Sequence, residues 1–196
     1  SPYWGPPLSI LWHAGEPLTL PPGYYDEATD RLEQATVALQ QQGVVIEQHV
    51  QTNATLINQE WVDCFRRNRL VVGVSVDGPE WLHDAHRRFR NGRGSHALTM
   101  AGIQTLQRHG SPFHAIAVLT SEAMADPEGM YAFFRDHGIH RLGFNVEEQE
   151  GVNAQSSMQG LQREAQYREF LSCFWRCNQR DGFPIQLREF EQVLGM

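Results

Sequence analysis

The chain has 196 residues, a length that suits one domain of ordinary size. Its composition, 41% hydrophobic and 20% charged, is typical of a folded globular protein. The net charge of −7 argues against a general nucleic-acid-binding surface, and no apolar run approaches the roughly 20 residues of a membrane span. Because there are only three cysteines and residues 1–5 lack a signal-peptide pattern, we expect a reducing, cytoplasmic setting.

Five short apolar runs predict β-strands. They are rich in Val, Ile and Leu and almost continuously apolar, as parallel strands covered on both faces should be. They lie at about residues 8–13, 44–50, 70–76, 113–119 and 141–146.

Helical patterns separate these runs, at about residues 25–42, 59–68, 96–109, 127–137 and 160–180. In the first of them, the spacing predicts a buried face formed by Ala28, Leu32, Ala35 and Leu39. Strands that alternate with helices imply a parallel sheet, either an open doubly wound sheet or part of a (β/α) barrel. No low-complexity linker indicates a domain boundary before about residue 150.

Recognisable capping residues begin two of the helices. Asn58 precedes the second, and Asp126 precedes the fourth, whose first helical residue is Pro127. In the second helix we expect Trp61 and Phe65 to be buried.

Polar residues follow each predicted strand at its carboxyl end. In a parallel sheet these ends lie on one rim, so the sequence predicts a binding site for a polar small molecule there. The residues concerned are His13, Gly15 and Glu16, then Gln51, Thr52 and Asn53, then Ser75 and Asp77, then Thr120, Ser121 and Glu122, and finally Asn145, Glu147 and Glu148.

Three of these segments, WHAGEP at 12–17, QTNATL at 51–56 and SVDGP at 75–79, occur in the motif order of radical S-adenosylmethionine (SAM) enzymes. More narrowly, the chain resembles the peptide- and protein-modifying branch related to anaerobic sulfatase maturases. The spacing onward to His83, Asp84 and Arg87 also fits, as does the turn NGRGS at 91–95. Residues 1–25 and FNVEE at 144–148 look most like maturases of glycine-rich-repeat precursor peptides, which are similar to enzymes that cross-link side chains into cyclophane rings.

The resemblance implies a role for each matching residue. Backbone oxygens of the loop and the Glu16 carboxylate would hold the amino group of SAM, Ser75 would bond its ribose or carboxylate, and Arg87 would pair with its carboxylate. Ala14 stands where the family most often has glycine, which is tolerable if its dihedrals are not left-handed. The complete implied SAM-binding set is Ala14, Gly15, Glu16, Pro17, Gln51, Asn53, Ser75, Asp77, Arg87, Val118 and Phe144, with the backbone of the last two flanking the adenine.

The resemblance also implies the fold and the cofactors. We expect an α/β fold, a partial (β/α)6 TIM-like barrel with parallel strands, from which the first βα unit and a C-terminal extension are missing. Residues 1–150 would form the core with its second to sixth strands, and residues 151–196 the final helix and the start of a connection. The full-length enzyme would carry a 4Fe-4S cluster on a cysteine triplet, and this chain has no such triplet.

Several expectations about activity and partners follow. This chain alone should perform no radical chemistry, whereas the full enzyme would act on a precursor peptide with an external electron donor. Nucleic acid and membrane are not expected partners. An unpaired edge strand leads us to expect a homodimer or poor solubility, which light scattering would test.

Other readings of the same residues remain open. Ser75 and Asp77 could form only an Asx-type turn, and Arg87 sits in a basic cluster (87–90 and Arg93) that is either a solvated face or a contact for an acidic peptide. Glu147 and Glu148 are candidate catalytic residues, as proton acceptors or substrate ligands, or are a surface pair of carboxylates.

Neither the histidines nor the cysteines indicate a metal site. The pairs His83/His86 and His137/His140 lack a third ligand, so we predict no metal there. The pair Cys173/Cys177 is interpreted as buried structural thiols. Two rival functions remain: a non-catalytic relative that binds a peptide or partner through the same rim, and an unrelated barrel lyase or metal hydrolase. The second would need a catalytic lysine or a ligand triad, and the strand ends offer neither.

Overall fold

The computed structural model describes residues 7–146 and 160–190, with side chains from Arg163 onward in the second segment. The strands are β1 (Leu8–Trp12), β2 (Ile46–Thr52), β3 (Leu70–Ser75), β4 (Phe113–Leu119), β5 (Arg141–Val146) and β6 (Gln186–Leu187). The helices are α1 (Pro22–Gln41), α2 (Gln59–Arg67), α3 (Glu80–His86), α4 (His96–Arg108), α5 (Ser121–Ala125), α6 (Pro127–Asp136) and α7 (Gly160–Arg180), and a 3-10 turn covers Pro17–Thr19. None of the described helices is long and apolar enough to cross a membrane.

The strands follow one another in chain order, and each described strand pairing is parallel. The predicted α/β class with parallel strands is therefore confirmed. The chain forms two compact units, residues 1–75 with 98–113 and residues 76–97 with 114–196. The predicted division at about residue 150 falls outside the described residues and stays a prediction.

In the first unit, β1, β2 and β3 form a parallel ladder in which Leu8 is level with Ile46 and Val50 with Val72. The side chains of Val50, Val72 and Val74 are buried, whereas Val71 is exposed. Helix α2 begins at the predicted cap, since the Asn58 side chain accepts a hydrogen bond from the backbone N–H of Trp61 at 3.1 Å. The Trp61 ring is buried as predicted.

In the second unit, β4, β5 and β6 are parallel. An aromatic cluster covers β5: the Phe144 ring lies 5.2 Å from that of Phe170 and 5.3 Å from that of Phe174, in edge-to-face geometry. Such pairs stabilise a core beyond the effect of burial alone. Helix α6 begins as predicted, because the Asp126 carboxylate accepts the Gly129 N–H at 2.9 Å.

Helix α1 turns a different face to the core than its apolar residues predicted. Leu39 and Ala35 are exposed, so that prediction was wrong. The buried positions are Tyr25, Thr29 and Thr36. Their hydroxyls are satisfied: Thr29 accepts from the Gln48 amide at 3.1 Å, and Thr36 donates to the carbonyl of Leu32 at 2.7 Å. Threonine methyl groups can therefore pack without leaving a buried polar group unpaired.

The second strand lies two residues later than predicted. Gly43 has a φ of 85°, and the Val44 N–H closes the end of α1 by donating to the carbonyl of Leu39 at 3.1 Å. The chain therefore becomes extended only at Ile46. Four elements were not predicted, namely α3, α5, the 3-10 turn and β6. Each spans seven residues or fewer, too few to show a periodicity.

Candidate functional site

The loop after β1 is tied to the end of β2 through one carboxylate. Glu16 Oε1 accepts from the Thr52 hydroxyl at 2.6 Å and the Leu18 N–H at 3.0 Å, and Oε2 accepts from the Asn53 N–H at 2.8 Å. Hydrogen bonds to a charged acceptor are about twice as strong as neutral ones. Glu16 therefore fixes the position of the loop and caps the 3-10 turn.

Tyr25 supports the same loop from α1. Its hydroxyl donates to the Pro17 carbonyl at 2.9 Å, and its ring packs edge-on against Trp12 with 5.5 Å between centroids. Burial, and secondarily the negative charge of Glu16, raises the pKa of Tyr25 to about 12. The phenol is therefore a permanent donor at neutral pH. Tyr25 was not among the predicted site residues, and Thr52 was named only as one of the polar strand ends. Their long-range contacts reveal that both hold the loop.

Two consecutive residues of the loop have left-handed backbone. The φ of Ala14 is 78° and that of Gly15 is 65°. The condition under which an alanine would be tolerated at position 14 is therefore not met, and Ala14 carries strain of about 1–2 kcal/mol. At Gly15 a Cβ would meet nothing within 4 Å. The backbone there faces open space, and a ligand could approach its polar groups closely.

Helix α4 holds the turn that follows β2. The Thr99 hydroxyl donates to the Asn53 carbonyl at 2.9 Å, and the carbonyl of Ala54 approaches Gly102 so closely that no Cβ would fit there. Two residues of α4 thus fix the turn at the carboxyl end of β2. Neither Thr99 nor Gly102 was predicted, because nothing in the local sequence links α4 to residue 53.

Gln51 and Ser75 end adjacent strands of the first unit and contact each other. The Gln51 amide donates to Ser75 Oγ at 2.9 Å. The Ser75 hydroxyl proton remains available for a second partner, because a hydroxyl both accepts and donates.

In the second unit, Asp77 and Arg87 form a bidentate ion pair. Arg87 Nε lies 2.5 Å from one carboxylate oxygen, and a terminal nitrogen lies 3.0 Å from the other. The carboxylate also accepts the Val118 N–H at 2.9 Å, which binds it to β4. Asp77 is buried and the Arg87 side chain is 29% exposed. Asp77 therefore orients the guanidinium, and the reading of Asp77 as only an Asx turn finds no support among its described contacts.

A buried histidine fixes both partners of this pair. The Asp77 N–H donates to His83 Nδ1 at 3.3 Å, so the imidazole proton is on Nε2, which lies 3.0 Å from Ser95 Oγ. Ser95 in turn donates to the Arg87 carbonyl at 3.0 Å. Burial lowers the pKa of His83 to about 4, which keeps the ring neutral. The rest of the basic cluster, Arg88, Arg90 and Arg93, is exposed.

Residues 4–147 of this chain match the radical SAM superfamily. The chain belongs to the radical SAM superfamily. An uncharacterized protein of Synechocystis sp., sll1766, is 41% identical over 191 residues, which cover 97% of this chain and 48% of the relative. A serine-type anaerobic sulfatase-maturating enzyme of Bacteroides thetaiotaomicron is 34% identical over 139 residues, covering 71% of this chain and 32% of that enzyme.

Among solved structures, native anSMEcpe with bound AdoMet and Kp18Cys peptide superposes with a TM-score of 0.78 at 22% identity, covering 95% of this chain and 52% of that chain. This likeness confirms the predicted fold, a partial radical SAM TIM-like barrel. The chain spans about half the length of sll1766 and a third of the Bacteroides enzyme.

The two cofactors of the radical SAM family fit this chain differently. In the first unit, the open backbone at Gly15 suits the ammonium group of SAM. In the second unit, the oriented guanidinium of Arg87 suits a carboxylate such as that of SAM. A 4Fe-4S cluster does not suit the cysteines present. Cys64 is buried in α2, while Cys173 and Cys177 lie one turn apart in α7. That the cluster ligands lie outside this chain stays a prediction.

The two predicted adenine-flanking residues use their backbone groups within the protein. The Val118 N–H is bound to Asp77, and the Phe144 N–H donates to Glu189 Oε1 at 2.8 Å. The Phe144 carbonyl accepts from Arg188 at 2.5 Å. Their role beside adenine stays a prediction. Glu147 and Glu148 lie outside the described residues.

Proposed function

We propose that this chain is the SAM-binding part of a radical SAM enzyme that modifies peptides. The family match supports the SAM chemistry. The main structural support for the site is the Glu16 carboxylate after β1, which hydrogen bonds from Thr52 and Asn53 hold in place. A ligand clamp works best when its groups are held in place before binding, because little entropy is then lost on association.

In this proposal the ammonium group of SAM binds at the loop of the first unit. Glu16 Oε2 accepts one hydrogen bond inside the protein, which leaves acceptor capacity on that oxygen. Backbone oxygens of the loop add further acceptors. Gln51 and Asn53 line the site, and the Ser75 hydroxyl donates to the ribose or carboxylate.

The carboxylate of SAM pairs with Arg87. Two of the N–H groups of Arg87 bind Asp77, so the outer edge of the guanidinium keeps donors for a second carboxylate. Asp77 prevents the arginine from turning away, and His83 and Ser95 hold the backbone of both residues. When SAM and the cluster are bound, they supply a 5′-deoxyadenosyl radical that abstracts hydrogen.

We infer that the substrate is a precursor peptide and that the product carries a side-chain cross-link of the cyclophane type. The resemblance of residues 144–148 to maturases of glycine-rich-repeat precursors supports the cyclophane-type cross-link. The structural neighbour that was crystallised with a peptide supports a peptide substrate. Glu147 and Glu148 are the candidate proton acceptors, and an external donor supplies the electron.

The test uses the full-length protein, reconstituted anaerobically with iron and sulfide and reduced in the presence of SAM. With a glycine-rich-repeat peptide we expect 5′-deoxyadenosine and a peptide that has lost two hydrogen atoms. A Glu16→Gln variant should form much less 5′-deoxyadenosine. If the wild type splits SAM but leaves every peptide unchanged, the substrate assignment fails and the SAM assignment stands.

The second candidate is a non-catalytic relative that binds a peptide or partner. Such a protein would use the same polar strand ends and would need no cluster. The coding sequence immediately upstream of Ser1 separates the two, since a cysteine triplet there supports the enzyme. Peptide binding by the reconstituted protein without any SAM cleavage would favour the binding module.

A further inference from the structure

Helix α7 carries two cysteines four residues apart. Residues at this spacing lie on the same face of a helix, one turn above each other. Cys177 is buried, Cys173 is half-buried, and α7 packs against α6. Glu128, in the first turn of α6, joins them: one ligand atom from each of the three side chains lies within 4.8 Å of the other two.

Two thiolates and a carboxylate are a ligand set that Zn²⁺ uses in proteins. With Zn–S near 2.3 Å and Zn–O near 2.1 Å, tetrahedral ligand atoms lie about 3.6–3.8 Å apart. The limit of 4.8 Å within which the three atoms lie exceeds that value by at most about 1 Å. Glu128 is exposed, so its side chain can turn toward the sulfurs without disturbing the core.

We propose that Glu128, Cys173 and Cys177 form a site for a thiophilic divalent cation such as Zn²⁺, with the fourth position open to water. The bound ion links the start of α6 to α7. This site is separate from the SAM-binding residues and does not depend on the proposed function.

The surrounding charges suit a bound cation. Two thiolates and one carboxylate carry three negative charges, one more than Zn²⁺ neutralises. The Arg180 guanidinium pairs with Asp181 at 3.0 Å and also interacts electrostatically with Cys177 and Glu128, so it partly offsets the remaining charge. Binding displaces protons from the thiols, so the affinity should rise with pH.

Cys64 is the natural control for this proposal. It is buried in α2 of the first unit, and its sulfur contacts the Asn68 amide at 3.4 Å and the Pro22 carbonyl at 3.7 Å. Among the residues that the structure describes, Cys64 belongs to no group of three metal ligands. Cys64 therefore offers the same thiol group as Cys173 and Cys177 without the neighbouring ligands that a metal site needs.

The test is a Zn²⁺ titration of the full-length protein in competition with a chromophoric chelator, under a non-thiol reductant. We expect Cys173→Ser to lose about one Zn²⁺ per chain relative to the wild type, and Glu128→Gln to weaken that binding about tenfold or more. Cys64→Ser should bind as the wild type does. Zn²⁺ should also raise the thermal unfolding midpoint of the wild type and of Cys64→Ser, but not that of Cys173→Ser.

Equal Zn²⁺ binding by the wild type and Cys173→Ser would overturn the proposal. Because Cys173 is only half-buried, its serine variant should fold, and circular dichroism checks that it does. If Cys64→Ser loses as much Zn²⁺ as Cys173→Ser, the binding is nonspecific thiol chemistry and the site is also refuted.

Discussion

His83 should make the stability of this protein fall when the pH drops below neutrality. The ring is completely buried, and its pKa is about 4 in the folded protein, against 6.5 in a model compound. Below pH 6.5 the unfolded chain takes up a proton on this residue that the folded protein does not bind. This proton uptake lowers the free energy of the unfolded state relative to the native state, so the free energy of unfolding decreases.

The size of the effect follows from the two pKa values. The full shift corresponds to about 3 kcal/mol, which is lost as the pH falls from the unfolded pKa to the folded one. About 2 kcal/mol of this is lost between about pH 7 and about pH 5.

Urea unfolding of the wild type and of His83→Gln at both pH values isolates this contribution. The variant should be less stable near neutrality by about 1–3 kcal/mol, because it disturbs the bonds to Asp77 and Ser95. The gap between the two proteins should then narrow by about 2 kcal/mol toward pH 5. Exposed His109, replaced by Gln, controls for the loss of a histidine at the surface.

Other groups also titrate in this range, and burial likewise lowers the pKa of His96. For this reason the difference between the wild type and His83→Gln is the relevant quantity. Parallel pH profiles for these two proteins would refute the reasoning, because they would show that His83 has the same proton affinity folded and unfolded.

Three further changes test the loops at the strand ends by urea unfolding. Glu16→Gln should lower the free energy of unfolding by about 2 kcal/mol. The amide nitrogen of Gln would face either the Asn53 N–H or the two donors of Oε1, the Thr52 hydroxyl and the Leu18 N–H. An unchanged stability would mean that these three hydrogen bonds are not formed. Ala14→Gly should raise stability by up to about 1 kcal/mol, and a loss would show that φ is not positive there. Gly102→Ala should cost about 1–3 kcal/mol through its clash with the Ala54 carbonyl, whereas tolerance would mean that α4 does not pack this closely.

Strands β1 to β5 were predictable because a short apolar run overlaps or directly precedes each of them. That the polar residues after the strands form one ligand-binding rim stays a prediction, which was made because the strand ends of a parallel sheet share one side. Burial in α1 was not predictable, because threonines that satisfy their own hydroxyls replace aliphatic residues on its inner face. β6 has only two residues and gives no signal at all.

Most contacts that shape the candidate site join residues far apart in the chain. Glu16 and Thr52 are separated by 36 positions, and Asn53 and Thr99 by 46. No local pattern encodes such pairs. The resemblance named Glu16 and Arg87 as ligand-binding residues, while the structure adds how each is held in place: Glu16 by Thr52, and Arg87 by Asp77.

We propose that the polar strand ends of this chain bind SAM. Isothermal titration of SAM into the reconstituted full-length protein tests it, with Arg87→Gln as the variant and the exposed Arg90→Gln as the matched control. Losing a charge-assisted pair costs about 1.5–3 kcal/mol, so Arg87→Gln should weaken SAM binding about tenfold or more, while Arg90→Gln should bind normally. Equal affinity in the wild type and a folded Arg87→Gln variant, or no SAM binding by the wild type, would contradict this account.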